Sequence, residues 1–134
     1  MTAAMTMAAL VSTAGPAAAA ATLTIDENAG VSVWPYGVLQ VFGTATCAAP
    51  GGTATISVNA IQIVMHMANG SGSTTITCAA QAVPWSVSLG SPNAYCGGNP
   101  TPGYCFAANS VASAFGNLTK AGVQEATAIK VVHT

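Results

Sequence analysis

The sequence predicts an all-β protein, an antiparallel β-sandwich of seven to eight strands with two disulfides. Short runs rich in Val, Ile, Thr and aromatic residues recur at intervals of about ten residues, and Gly, Pro and Asn separate them. No segment beyond residue 21 shows sustained helical periodicity. Four cysteines follow an N-terminal segment with the layout of an export signal. Together these observations indicate a small, disulfide-bonded β domain.

The N-terminal segment indicates export. Residues 1–21 are uncharged and Ala-rich, with an apolar stretch, the helix breaker Gly15-Pro16 and then small residues suited to an Ala-x-Ala cleavage site. We therefore predict a secretory signal peptide over residues 1–21 and one β-sandwich domain over residues 22–134. The apolar part is shorter than the roughly 20 residues of a membrane helix, so no membrane insertion is expected after cleavage. No Lys or Arg precedes this stretch, and we expect the true start to lie upstream.

The predicted strands follow from alternating apolar and polar residues between turn signals. Gly43 should mark a bulge or a close backbone approach. Pro84 opens an alternating run in which Trp85 belongs to the core, near Cys78. In chain order the runs are residues 22–26, 31–34, 38–48, 53–67, 74–79, 84–89, the small-residue run 106–115, and 123–133.

Two features of the pattern predict interruptions. In the run 53–67 the apolar residues change from even positions to odd positions after Ala60, which predicts a β-bulge or a strand covered on both sides. The run Asn69-Gly70-Ser71-Gly72-Ser73 predicts a hairpin turn or loop. Residues 117–122 predict a second turn.

The charge content excludes several function classes. The chain has five charged side chains, which are 4% of its residues, against about 25% in a typical soluble domain. Without clustered Lys and Arg, nucleic-acid binding and steering to acidic membranes or substrates are not expected. Weak electrostatic repulsion favours self-association. The charged residues are Asp26, Glu27, Lys120, Glu125 and Lys130.

The four cysteines allow three disulfide connectivities. Cys96 and Cys105 enclose a turn-rich segment whose ends meet at little entropic cost, which favours their pairing and leaves Cys47 for Cys78. A zinc site has poor support, because no Cys-x-x-Cys occurs and neither histidine lies near a cysteine in sequence.

A set of short motifs resembles small secreted actinobacterial proteins of unknown function. The motifs are Gly43-Thr44-Ala45-Thr46-Cys47, Gln62 in the long strand, a Gly/Ser loop, Thr77-Cys78 and Pro84-Trp85-Ser86-Val87. The resemblance spans residues 22–133 and implies an immunoglobulin-like β-sandwich and a Cys47–Cys78 bridge. It implies no particular activity, since none is attached to the family. The chain departs from that pattern in its Cys96–Cys105 insert and its few charges. A looser likeness, of architecture only, is to neocarzinostatin-type chromoproteins, which are also small, exported and disulfide-bonded.

The candidate catalytic groups do not form a catalytic set. His66 lacks a recognisable nucleophile and carboxylate partner, and no Gly-x-Ser-x-Gly occurs. Strand alternation places His66 opposite Met65 and Met67, which argues against a copper site. Asp26 and Glu27 are adjacent and would point to opposite faces, unlike a glycosidase pair. We therefore expect no enzyme activity, no cofactor and no metal.

The candidate binding residues surround the Cys96–Cys105 loop. Tyr95 and Tyr104 flank it and could offer contact area, while Asn99 and Thr101 could offer hydrogen bonds. The commoner role of such rings is to pack over the bridge and cover the end of the sandwich. We expect the exposed sheet face to be rich in Thr and Ser, with little to anchor a partner.

These observations favour a secreted, non-enzymatic β-sandwich module with a binding or structural role at the cell surface, outside the cell or in its wall. Its partner would be a protein, a glycan or a small molecule. One alternative is a small-molecule carrier, with an apolar cleft between the sheets lined by Met65, Met67, Phe106 or Phe115. Another is an exported protease inhibitor that presents the Cys96–Cys105 loop, although Gly97-Gly98 and two prolines do not suit an extended reactive loop.

Overall fold

A computed structural model describes residues 20–32, 38–63, 67–89 and 106–134, and this part of the chain is all-β. It forms eight strands and no helix. The strands are β1 (Thr22–Ile25), β2 (Gly30–Ser32), β3 (Val38–Thr46), β4 (Thr53–Ile63), β5 (Met67–Thr77), β6 (Val83–Leu89), β7 (Val111–Lys120) and β8 (Val123–His133).

The strands form two antiparallel sheets that pack face to face, as the sequence predicts. In the first sheet β6 pairs along one edge of β3, and β1 and β2 pair with successive parts of the other edge. The second sheet has the order β5-β4-β7-β8. The chain changes sheet between β3 and β4, between β5 and β6, and between β6 and β7. The core lies between the two sheets, where the inward side chains of both are buried.

Strand β4 alternates without interruption from Thr53 to Ile63, so the predicted β-bulge is wrong, and Ile61 and Ile63 are exposed, so the strand is not covered on both sides there. Its even-numbered residues face the core and its odd-numbered residues face outward. The pairing of β4 with β5 on one edge and β7 on the other is in continuous register, which leaves no place for a bulge. The alternation places Gln62 inside and both Ile61 and Ile63 outside. The irregularity lies instead between β7 and β8, at Leu118 and Thr119.

Residues 69–73, predicted as a turn or loop, lie within β5 and pair with residues 57–61 of β4. The reason is packing against the first sheet. A Cβ atom on Gly72 would lie 2.6 Å from the carbonyl oxygen of Ser88 and 2.8 Å from Cγ1 of Val87. Glycine therefore allows the edge strand β5 to approach β6 closely. Gly43 also lies at a close approach, because a Cβ there would overlap the carbonyl oxygen of Thr24.

The second predicted turn is shorter than expected. Strand β7 begins at Val111 and continues to Lys120, so Asn117 pairs within the sheet, opposite Thr127. Only Ala121 and Gly122 form the connection to β8, and both have positive φ angles, 52° and 80°. This geometry is typical of a two-residue hairpin turn.

A disulfide joins Cys47 to Cys78, which confirms that predicted pair. Cys47 follows β3 of the first sheet and Cys78 follows β5 of the second, so the bridge fastens the two sheets at one end. The backbone of Cys78 also exchanges hydrogen bonds of 2.9 Å with Gly51 and Gly52. The two cysteines are 31 residues apart in sequence. Closing a loop of that length stabilises the fold by about 3–4 kcal/mol in the chain-entropy model. Cys96 and Cys105 lie outside the described residues.

The close packing of β5 against β6, called here the seam, yields a stability prediction. Gly72→Ala should lower the free energy of unfolding by about 1–3 kcal/mol, because the added methyl group meets the backbone of β6. Urea denaturation would measure the change. Gly30→Ala is the matched control, since a Cβ at Gly30 meets nothing within 4 Å. Equal stability of the two variants would contradict this account of the seam.

Candidate functional site

The outer face of the second sheet is divided into a polar half and an apolar half. The polar half consists of residues 69–77 of β5 and the first part of β4, whose outward residues are Ser, Thr and Asn. The other half consists of the end of β4 with β7 and β8. We call its six large exposed side chains the apolar face: Ile61, Ile63, Val111, Phe115, Ile129 and Val131. The expectation of a Thr/Ser-rich exposed sheet face therefore fails for this half.

The strand register makes the apolar face continuous. Ser113 of β7 lies between Ile61 of β4 and Val131 of β8, and Phe115 lies beside Ile129. Ile63 is 74% exposed and Ile129 is 73% exposed. Isolated apolar side chains are ordinary on protein surfaces, but a contiguous group of this kind usually marks a binding surface.

The apolar face contains a hollow of about 270 Å³. The small side chain of Ser113 lies in it with branched side chains around, and Ala112, whose side chain faces the core, adjoins it. Its lining residues are Ile61, Ile63, Val111, Ala112, Ser113 and Val131. Phe115 and Ile129 stand in the next row of the sheet, beyond the hollow. The surface thus combines a depression with larger neighbouring side chains.

Gln62 holds one end of the apolar face in place. Among the described residues it is the one polar side chain in the core, with 2% of its surface exposed. Its amide oxygen accepts a 2.6 Å hydrogen bond from the backbone nitrogen of Ala107, and its amide nitrogen donates to the carbonyl oxygens of Ala107 at 3.1 Å and Val111 at 3.3 Å. These bonds join β4 to the start of β7, which places Val111 beside the two isoleucines of β4.

Thr134 completes the same network. Its hydroxyl donates a 2.7 Å hydrogen bond to the carbonyl oxygen of Ala107 and accepts a 3.1 Å bond from the nitrogen of Ser110. The backbone of Thr134 also accepts a hydrogen bond from the nitrogen of Asn109 and donates one to the carbonyl oxygen of Ser110. The segment that leads into β7 is therefore fixed by Gln62 on one side and Thr134 on the other.

The charged side chains make contacts at the two ends of the sandwich, one of them at the border of the apolar face. Oε1 of Glu125 accepts a 2.9 Å hydrogen bond from the nitrogen of Ala48, and Nζ of Lys120 donates a 2.9 Å bond to the carbonyl oxygen of Ala49. Both contacts hold the segment after Cys47. At the other end, Oε2 of Glu27 lies 3.2 Å from Nε2 of His133. His133 pairs with Val111 and lies on the same side of β8 as Val131, so this contact borders the apolar face. The six side chains of the face are themselves uncharged.

The predicted loop residues Tyr95, Asn99, Thr101 and Tyr104 lie outside the described residues, as does His66. Trp85 is a core residue, as predicted, with 5% of its surface exposed. Phe106 is buried, whereas Phe115 faces outward on β7, so these two rings do not line a common cleft. Sequence reasoning missed the apolar face, although two regular alternations, at residues 111–115 and at residues 129–131, could have indicated it.

Comparisons with known proteins do not add to the assignment. No family model, no curated protein and no solved structure matches this chain. Within the described residues, no helix is long and apolar enough to span a membrane, and no three His, Cys, Asp or Glu side chains group as metal ligands.

The Gln62 network yields the second prediction. Gln62→Leu should reduce the free energy of unfolding by about 2 kcal/mol, because the N–H of Ala107 loses its acceptor and the carbonyl oxygens of Ala107 and Val111 each lose a donor. Chemical denaturation monitored by circular dichroism would measure it. Gln40→Leu makes the same change at an exposed position of β3 and should have little effect. Comparable losses in both variants would show that the network does not stabilise the fold.

Proposed function

We propose that this protein is a secreted, non-enzymatic recognition module with an immunoglobulin-like β-sandwich, and that it binds its partner through the apolar face. The observation that supports this most strongly is the contiguous group of six exposed apolar side chains on one regular sheet. Strands β4 and β7, which carry four of these side chains, are paired on both edges, and β8, which carries the other two, is paired with β7. A rigid apolar surface binds at a low entropic cost, because little has to be ordered on association.

The strand order supports the immunoglobulin-like assignment. One sheet has the order β1-β3-β6 and the other β5-β4-β7-β8, with crossings between sheets after β3, β5 and β6. Immunoglobulin-like sandwiches place their A, B and E strands in one sheet and their C, F and G strands in the other, with an added C′ strand beside C in variable-type domains. β1, β3 and β6 correspond to the first set, and β5, β4, β7 and β8 to the second.

The Cys47–Cys78 disulfide supports export, since structural disulfides persist mainly in oxidising compartments. The N-terminal segment adds the second argument, because its composition matches a signal peptide. The actinobacterial resemblance is consistent with a product that acts outside the cell or in its wall.

The use of the carboxylates supports a non-enzymatic role. Glu125 holds the backbone of Ala48, and Glu27 faces His133. Neither carboxylate is among the residues that line the hollow of the apolar face, which are apolar apart from Ser113. A surface of this composition can bind apolar groups but has no acid, base or nucleophile pair.

The alternative of a carrier with a cleft between the sheets has less support. In the described residues the inward side chains of both sheets pack against each other, and the core positions of β3 and β4 are at most 3% exposed. A ligand between the sheets would have to displace this packing. A contact through Tyr95 and Tyr104 stays a prediction, and the apolar face does not depend on it.

Binding at the apolar face can be tested with the apolar dye anilinonaphthalene sulfonate at sub-micromolar protein. Val131→Lys should weaken dye binding by about tenfold or more, because the lysine interrupts the apolar face. The matched control is Val123→Lys, at an exposed valine of the same strand near the hairpin turn. Equal dye binding by the two variants, both with native circular dichroism, would contradict the proposed site.

Export can be tested independently. Residues 1–21 fused to alkaline phosphatase should give active enzyme, because the reporter forms its disulfides only in an oxidising compartment. The control is the same fusion with Leu10→Arg and Val11→Arg, which interrupts the apolar stretch that export requires. If the control is as active as the original fusion, or if neither is active, residues 1–21 are not an export signal.

A further inference from the structure

We propose that the partner bound by the apolar face is a second copy of this chain, so that two copies form a symmetric dimer through this surface. This inference rests on the proposed function, since it names the occupant of the same site. Area, charge, shape and the state of the sheet edges support it.

The area of the apolar face is sufficient for a small stable interface. Its six side chains are 36% to 74% exposed, so they present on the order of 600 Å² of accessible surface. With the polar rim, two copies would approach the roughly 800 Å² per partner of a standard protein interface. This is also near the upper limit of the apolar patches that monomeric proteins expose, and patches of that size often serve binding.

Charge does not oppose the association of two identical faces. Like charges meet when a surface packs on its own copy, and each such pair would destabilise the complex. None of the six side chains of the apolar face is charged, and the formal net charge of the chain is −1. Lys130, although between Ile129 and Val131 in sequence, belongs to the opposite side of β8 by strand alternation. The Glu27–His133 contact lies at the border of the face, where each carboxylate already has a partner in its own copy. The centre of the contact is therefore uncharged.

The shape of the face suits a two-fold arrangement. Ser113 lies in the hollow, and Phe115 stands two residues further along the same side of β7. A two-fold axis that lies between the two copies, parallel to their sheets, and crosses β7 between these residues would place each Phe115 over the Ser113 of the other copy and Val131 over its Ile129. Val111, at the margin of the face, would lie over Asn117 of the other copy, so the apolar contact is centred on β7 and β8. Both hollows would then be filled by the same contact, as an isologous interface requires. Stacked sheets of this kind pack with their strands nearly aligned.

The edges of the second sheet are protected, which favours face-to-face packing over the pairing of edge strands. At the end of β8 the backbone of His133 donates to the carbonyl oxygen of Glu27 and accepts from the nitrogen of Ala29. Lys130 is exposed in the same edge strand, and a lysine in that place hinders pairing with another chain. At the opposite edge β5 approaches β6 closely at Gly72. A closed dimer is therefore favoured over an open-ended fibre.

Sedimentation velocity over a range of concentrations of the full chain tests the inference. The wild-type chain should sediment as a dimer that dissociates on dilution. Val131→Lys should raise the dimer dissociation constant by about 100-fold or more, because a two-fold interface contains every substitution twice. Val123→Lys should remain dimeric. If Val131→Lys does not fold, Ile129→Lys makes the same test at a more exposed position.

A second variant separates the specific dimer from general adhesiveness. Ser113→Phe fills the hollow that should receive Phe115, so it should weaken the dimer although it adds apolar surface. Stronger association of this variant would overturn the two-fold arrangement. A wild-type chain that stays monomeric while its dye binding is lost in Val131→Lys would overturn the dimer and leave the proposed site standing. A monomer whose dye binding is unchanged by Val131→Lys would overturn both.

Discussion

The pairing of β4 on both of its edges is the constraint on which the rest of the structure depends. Because β5 and β7 hold this strand in continuous register, no residue of it can change sides without moving its neighbours. The alternation therefore continues past Ala60, where the chemical pattern changes. Gln62 is placed in the core and must find hydrogen-bond partners there, and the isoleucines on either side of it are placed on the surface. The buried amide and the exposed apolar face are two consequences of one register.

The fold is fastened at both ends, which leaves the apolar face free of a structural role. At one end the Cys47–Cys78 bridge joins the sheets, and Glu125 and Lys120 hold the segment beside it. At the other end Gln62 and the residues around Thr134 join β4, the start of β7 and β8. The apolar side chains of the face lie outside both networks and outside the core. Substitutions there should change association more than stability, which is why lysine variants are suitable probes.

The sequence predicts the class of the fold because alternation is a local signal. The Cys47–Cys78 bridge spans 31 residues and is predicted only as the pair left when Cys96 and Cys105 are joined. The two antiparallel sheets, the close approach at Gly43 and the buried position of Trp85 follow from local signals. Residues 69–73 do not, because a Gly/Ser run suits a turn as well as an edge strand, and only the proximity of β6 decides between them. The apolar face was missed for a related reason. Alternation shows that a strand has two faces, but it does not show which face the other sheet covers.

The two halves of the outer face explain how a chain with few charges can expose so much apolar surface. Solubility depends on hydroxyl and amide side chains, which cover β5 and the first part of β4. Packing two apolar faces together would remove the apolar half from water and leave the Ser, Thr and Asn half exposed. Phe42, on the first sheet, would remain as an isolated exposed ring, which is ordinary on protein surfaces. Because Lys130 and the bonds of His133 protect the β8 edge, association would stop at two copies rather than continue. In the proposed dimer the same surface would serve binding and limit aggregation.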